Sequence, residues 1–277
     1  MDGFLLCEKT IGISSNHLVQ NVKKKLKLKK VGHLGTLDPM AEGLLILAIN
    51  KATKFSSYFL EADKKYFAKI NFAFSTNTDD AFGEVLHKSK IIPKKKDIKL
   101  AIDSLQGISF QKPPYFSSLK FKGKRLYKYA REGILIEKPK RKIEIFSIKN
   151  IEITKGKCSF LVHCSKGTYI RSIARDLGES LGCHAHLYYL KRVSQGNFCL
   201  KNKTITQNLK DIIPIEEAFL NYKKIKLNAS DTKIFVNGGR VLNKNKTDGL
   251  YRVYDSKLNF RGLGKVIDNE LKLKQLV

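Results

Sequence analysis

Residues 32–49 limit what this chain can fold into more than any other segment. Gly32-His33-Leu34-Gly35-Thr36-Leu37-Asp38-Pro39-Met40-Ala41-Glu42-Gly43 is a glycine-punctuated loop, and it runs straight into Leu44–Ile49, the longest purely aliphatic run in the sequence. An aliphatic run of this length next to turn formers predicts a short strand. It falls far short of the roughly 20 apolar residues that a membrane-spanning helix needs. Pro39 pushes Asp38 out of helical geometry, and the glycines permit tight or left-handed backbone. The loop therefore presents a carboxylate from a fixed position. Asp-Pro is also a common turn starter, so local physics leaves a catalytic carboxylate and an ordinary turn both open.

The neighbouring patterns surround this strand with mixed structure. Ser14-Ser15-Asn16 precedes Leu18, Val22 and Leu26 at helical spacing, which predicts an N-capped amphipathic helix with Lys23, Lys24, Lys25, Lys27, Lys29 and Lys30 on its outer face. Tyr66, Ala68, Ile70, Phe72 and Phe74 alternate at strand period. Residues 76–83 are polar and turn-like, and Ile98, Ile102 and Leu105 predict a helix ending at Gly107. Strands are expected over 142–153 and 158–164, a helix over 168–177 with Ile170, Ile173, Ala174, Leu177 and Leu181 on one face, a short strand over 187–190, and a short helix over 211–220. From about Lys226 the turn signals Asn237-Gly238-Gly239 and Asp248-Gly249 separate short β-like runs, which read as a small separate β module. Strands interrupted by helices without regular alternation predict an α+β fold with a largely antiparallel sheet.

Charge narrows the partner class. The 277 residues carry 53 Lys plus Arg against 25 Asp plus Glu, a formal net charge of +28. The hydrophobic fraction of 42% is enough for a core, so the chain is not a disordered polybasic tail. A strongly basic folded protein meets a polyanion, because each neutralised phosphate releases a counterion. Nucleic acid leads and an acidic membrane surface is second. Of the basic residues 44 are Lys and only 9 are Arg, a bias that genome composition also produces. The N-terminus carries no visible signal peptide. The five scattered cysteines contain no C-x-x-C pair, so reduced thiols are expected rather than disulfides or a metal site.

Two further segments have chemical character. Residues 112–133 interleave Tyr115, Phe116, Phe121, Tyr127 and Tyr129 with Lys120, Lys122, Lys124, Arg125, Lys128 and Arg131. Rings stack on bases and cations hold phosphates, so the pattern suits unpaired RNA. The alternative is a loop whose rings pin it to the core. Arg171 and Arg175 share a helix face just after Tyr169. Arg is favoured over Lys where a planar, permanent cation pairs a buried carboxylate, and a surface salt bridge such as Arg175 with Glu179 is the competing reading.

These motifs together resemble the bacterial TruB family of tRNA pseudouridine synthases, which modify uridine 55 in the T-loop. The likeness rests on Gly32–Gly43 with the following GLLILAINKATK, on Gly3–Lys9 through Ser14-Ser15-Asn16, and on Lys65-Tyr66 with Thr76–Gly83. It extends to Lys112–Gly133, which looks like the family's RNA-gripping thumb loop, to CSKGTYIRSI at Cys164–Ile173, and to Leu190-Lys191-Arg192. It covers about residues 3–220. It implies a pseudouridine synthase catalytic domain over 1–222 and a short C-terminal RNA-binding module over 223–277 that resembles a PUA barrel.

The resemblance also implies roles. Asp38 would be the nucleophile, Tyr66 would stack on the target base near the sugar, and Arg171 would pair with Asp38. Tyr169 and Leu190 would line the pocket, His33 would fill the space the extruded base leaves, and Lys9 and Arg192 would lie near the active site. No cofactor, metal or obligatory protein partner is implied; the T-arm of tRNA is the partner, and the expected state is a cytoplasmic monomer. Thr10 stands where the family usually has Pro. Competing readings are a non-catalytic RNA-binding or RNA-folding protein on the same scaffold, and a guide-RNA-dependent relative.

Overall fold

The computed structural model describes residues 1–200, 208–243 and 246–277. Its centre is one large sheet with the path 213–214, 3–9, 42–49, 185–195, 64–72, 157–164, 141–154 and 107–111; residues 31–33 and 198–199 pair beside it. The fold is α+β and the sheet largely antiparallel, as the pattern predicts. The exception within this sheet is the seam between 42–49 and 185–195, which run parallel and meet at Lys191↔Glu42 and Arg192↔Gly43.

Leu44–Ile49 is fully buried because it sits between two cores. Leu45, Leu47 and Ile49 face one side with Leu5 and Cys7, under Leu18 and Val22 of the helix Ser15–Lys25. Leu44, Ile46 and Ala48 face the other with Phe4, Phe55, Phe59 and Phe219. A strand buried on both faces needs aliphatic residues at every position, which is why this run does not alternate. The helix starts where expected: Ser14 accepts from the backbone N–H of His17. The helix Ile170–Ser180 lies on the first face, with Ile170, Ile173, Ala174 and Leu177 in the core.

Several elements differ from expectation. The strand starting near Tyr66 spans Lys64–Phe72 and stops at Ala73, whose positive φ of 81° breaks the ladder before Phe74. The helix expected to end at Gly107 spans Lys95–Asp103, and Gly107 instead opens the edge strand Gly107–Gln111. The short strand at 187–190 is eleven residues long, Ala185–Gln195; buried Arg192 and Gln195 interrupt its apolar alternation. No single helix spans 211–220. The segment holds the short strand Ile213–Pro214, bracketed by 3-10 turns at Leu209–Asp211 and Glu217–Phe219. Pro214 forces Ile213 into extended backbone and cannot donate within a helix.

Residues 223–276 form a five-stranded sheet with the helix Ala229–Val236 over a core of Ile225, Phe235, Tyr251, Val253, Val266 and Leu271. Leu263 reaches out of this sheet into the Phe4–Phe219 cluster, so the two sheets share an apolar junction. Among the described residues no helix is long and apolar enough to cross a membrane.

Candidate active site

The loop carrying Asp38 is held on several sides. Gly43 follows it with φ 103°, and a Cβ there would stand 2.4 Å from the Arg192 carbonyl oxygen, so only glycine permits the parallel strands to meet. The buried Ser15 hydroxyl accepts the Leu37 N–H at 2.8 Å and donates to the Leu37 carbonyl at 2.9 Å. Gly12 N–H donates to the Pro39 carbonyl at 2.9 Å. The Lys9 ammonium, fully buried, donates to the carbonyls of Thr10, Ile13 and Pro39 at 2.9, 2.8 and 3.5 Å. Burial pulls the Lys9 pKa down to about 8, against the opposing influence of Asp38 and Glu42. The turn at Thr10 is thus closed by a lysine.

Arg171 extends its guanidinium beneath this loop and gives each nitrogen a different partner. Nε donates to Asp38 Oδ2 at 2.8 Å, Nη1 to the Thr78 carbonyl at 3.0 Å, and Nη2 to the Phe116 carbonyl at 2.8 Å. Asp80 Oδ2 lies 3.7 Å from Nε. The Arg171 side chain is 3% exposed and Asp38 is 34% exposed, so the cation is buried while the carboxylate faces the opening. Burial alone would lower the Arg171 pKa; Asp38 and Asp80 outweigh it and raise the value. A surface salt bridge does not describe this residue. Arg175 does sit 3.9 Å from Glu179, and binds Asp79 and Asp176 at 3.1 and 2.8 Å.

Asp38, Arg171, Tyr66, Tyr169, Leu190 and Arg192 all line one cavity of about 250 Å³. Arg192 is fully buried at the seam; its Nε donates to the Leu44 carbonyl at 2.7 Å and its Nη2 to the Gly35 carbonyl at 3.0 Å, and its charge lies close to the Tyr66 phenol. Burial raises the Tyr66 and Tyr169 phenols, which keeps them neutral. Lys9 lies beneath the cavity, against its loop. His33 does not line it; it occupies the neighbouring strand Val31–His33, where burial with Arg192 and Arg125 lowers its pKa.

Several participants escape sequence reasoning. Thr78, Asp79 and Asp80 come from a loop read as a polar turn and as part of a family motif, with no role given to any of the three. Asp80 caps that loop by accepting from Thr78 Oγ1 and Phe82 N–H. Burial raises Asp79 to about 6 despite Arg175 and Arg171. Lys64 lines the cavity while donating to the Leu60 and Ala62 carbonyls. Gln195 holds the Leu34 and Phe59 carbonyls. A signal existed for Lys64, which stands on the same phase as Tyr66 and buried Ala68 in its strand; Gln195, on a strand that also carries Lys191, Arg192 and Ser194, had none.

Segment 112–133 folds into a two-residue ladder pairing Lys120–Phe121 with Lys124–Arg125, followed by the helix Leu126–Arg131. Its cations lie over aromatic rings of the same region, Lys124 at 4.6 Å from Tyr129 and Arg131 at 5.4 Å from Tyr127. Pro113, Pro114 and Ser117 are buried, which fastens the base of the segment to the core.

Comparison with known proteins identifies the family. Residues 23–170 match the N-terminal domain of the TruB family of pseudouridylate synthases. Residues 171–224 match the tRNA pseudouridylate synthase B C-terminal domain, and 224–277 match pseudouridine synthase II TruB, C-terminal. The chain is 42% identical to tRNA pseudouridine synthase B of Clostridium kluyveri, covering 100% of this chain and 99% of that one. It is 35% identical to the protein of the same name from Actinobacillus pleuropneumoniae, covering 99% and 95%. Among solved structures, one of a Cbf5-Nop10-Gar1 complex superimposes with a TM-score of 0.71 at 24% identity, over 99% of this chain and 84% of that one, a likeness of fold. The chain belongs to the TruB family of pseudouridine synthases, isomerases that convert uridine in tRNA to pseudouridine.

Proposed function

We propose that this chain isomerises uridine 55 in the T-loop of tRNA, with Asp38 as the nucleophile acting on a flipped-out base. The observation that carries the reading is the Asp38 carboxylate, held at 2.8 Å by buried Arg171 and turned toward the cavity that Tyr66, Tyr169 and Leu190 line. The reaction breaks the N-glycosidic bond, turns the base and rejoins it through C5, so the atoms balance without a co-reactant. A single carboxylate serves as the covalent partner. The Arg171 guanidinium bonds one carboxylate oxygen of Asp38 and leaves the other free to attack.

The remaining residues support a base taken out of its stack. Tyr66 replaces the lost stacking, with the Arg192 charge close to its phenol. Tyr169 and Leu190 close the pocket around the uracil. His33, one strand away, fills the space vacated in the loop, and Lys9 keeps the Asp38 loop in place. Segment 112–133 grips the T-arm as a thumb, and residues 223–277 act as a short PUA-like RNA-binding module appended to the catalytic domain of residues 1–222. The enzyme works in the cytoplasm as a monomer, on tRNA alone, without cofactor or metal.

The test is tritium release from C5-labelled uridine in a tRNA transcript by the purified chain. Wild-type protein should release it, a transcript with cytidine at position 55 should not react, and Asp38→Asn should abolish release while tRNA binding stays within a few-fold. Release by Asp38→Asn at the wild-type rate removes Asp38 from the chemistry.

A further inference from the structure

The base of segment 112–133 and the start of the helix Ile170–Ser180 are joined by bonds that the reaction outlined above does not use. Gln111 ends the edge strand Gly107–Gln111 and is 4% exposed. Its carboxamide oxygen accepts the Tyr169 N–H at 2.8 Å, and its Nε2 donates to the Tyr169 carbonyl at 3.0 Å. One side chain therefore takes up both polar groups of a single backbone residue, as a neighbouring strand would. The next carbonyl along the chain, that of Lys112, accepts from Ser172 Oγ and Arg175 Nη2, each at 2.9 Å. Four residues further on, the Phe116 carbonyl accepts from Arg171.

The residue so held stands where loop gives way to helix. Tyr169 is the N-cap of its helix, in extended backbone with φ −97° and ψ 112°, and no side chain caps the helix there. Its ring lines the cavity, and two residues on, Arg171 holds Asp38. A rotation of the Tyr169 peptide would move both. Gln111 opposes that rotation, because a carboxamide carries a donor and an acceptor side by side. An apolar side chain of similar length would fill the same space without that hold.

We propose that Gln111 is a positioning residue for the isomerisation: its carboxamide locks the Tyr169 peptide to the base of segment 112–133, and so sets the Tyr169 ring and the Arg171–Asp38 pair in their reactive arrangement. The inference rests on the reading of the Asp38 cavity as the reaction site. Gln111 touches no reacting atom; it acts through Tyr169.

The experiment compares wild type, Gln111→Met and Gln111→Glu in single-turnover tritium release at saturating tRNA, with tRNA Kd measured at one salt concentration. Gln111→Met keeps the length and removes both bonds. Its rate should fall at least tenfold with Kd within threefold of wild type, and the amides of 169–171 should exchange hydrogen at least tenfold faster. Gln111→Glu keeps the acceptor but turns a carboxylate oxygen toward the Tyr169 carbonyl. Burial raises such a carboxyl, and its proton restores the donor, so its rate relative to wild type should rise at least threefold between pH 8 and pH 6. A Gln111→Met rate within threefold of wild type overturns the proposal, as does a loss that lies wholly in Kd. Should Gln111→Met not fold, the Gln111→Glu profile decides, and a flat ratio to wild type overturns it. An inactive wild type would refute the functional reading alone, and the exchange rates would still judge the lock.

Discussion

Replacing Arg171 with Lys keeps the charge and removes the fork. The guanidinium sends Nε to Asp38, Nη1 to the Thr78 carbonyl and Nη2 to the Phe116 carbonyl, all within 3.0 Å. A Lys ammonium is a point charge on a flexible stem, and it lacks the plane that spans these three acceptors. If the ammonium stays near Asp38, two carbonyls are left without donors. At about 1–3 kcal/mol for each buried group left unmet, the variant should be less stable by roughly 2–6 kcal/mol. For a chain of this size, where 1 kcal/mol shifts Tm by about 1.7 °C, that corresponds to a Tm drop of roughly 3–10 °C. The rate should suffer through aim. Losing one charge-assisted hydrogen bond in the transition state, worth about 1.5–3 kcal/mol, slows chemistry roughly ten- to 150-fold. Single-turnover tritium release at saturating tRNA, with circular-dichroism melting in parallel, reads both quantities. A lowered Tm with a rate within threefold of wild type would refute the argument that the fork aims Asp38.

Other consequences are measurable. Gly43→Ala forces a side chain at φ 103° into the Arg192 backbone 2.4 Å away, so its denaturant midpoint should drop by an amount equivalent to several kcal/mol, and its activity should fall with the broken seam. Asp79 holds its proton more tightly folded than unfolded, with a pKa raised to about 6 from 3.8. Stability from this group is therefore greatest below pH 4 and drains away as pH rises through 6, by at most about 3 kcal/mol. In Asp79→Asn melts, the Tm gained relative to wild type should grow across that window; a constant difference would contradict the shift. Replacing Lys23, Lys24 and Lys25 with Gln should weaken tRNA binding and reduce the slope of log Kd against log salt by about 0.7–0.9 for each phosphate no longer neutralised, with the single-turnover rate at saturation unchanged.

Much of the site was legible in the linear chain because its parts are local. Glycines and a proline bracket Asp38, and the aliphatic run behind them has to be buried. Tyr66 falls on the core phase of an alternating strand. Arg171 stands out as a scarce arginine just after Tyr169, on a helix face shared with Arg175. The family motifs supplied roles that composition and spacing could not. The 185–195 strand was underestimated for an instructive reason. Its buried positions include Arg192 and Gln195, which a period-two reading treats as polar breaks, although the Arg192 guanidinium and the Gln195 amide nitrogen donate to carbonyls of distant segments. The expected 211–220 helix failed on Pro214, whose local restriction outweighed the apolar spacing around it.

What the sequence alone determined is what φ/ψ preference and hydrophobic period decide over a few residues: the rigid loop, the buried strand, the capped helix and the separate C-terminal β runs. Only the tertiary structure decided which charges meet. Arg171 and Asp38 lie 133 residues apart, and Arg171 reaches the Thr78 carbonyl across 93. No local signal marks Asp79 or Asp80 in a polar loop as partners of that helix. Their importance arises when packing strips water from the Arg171 and Arg175 guanidiniums, because a charge removed from water requires an opposite charge or a carbonyl at hydrogen-bond distance.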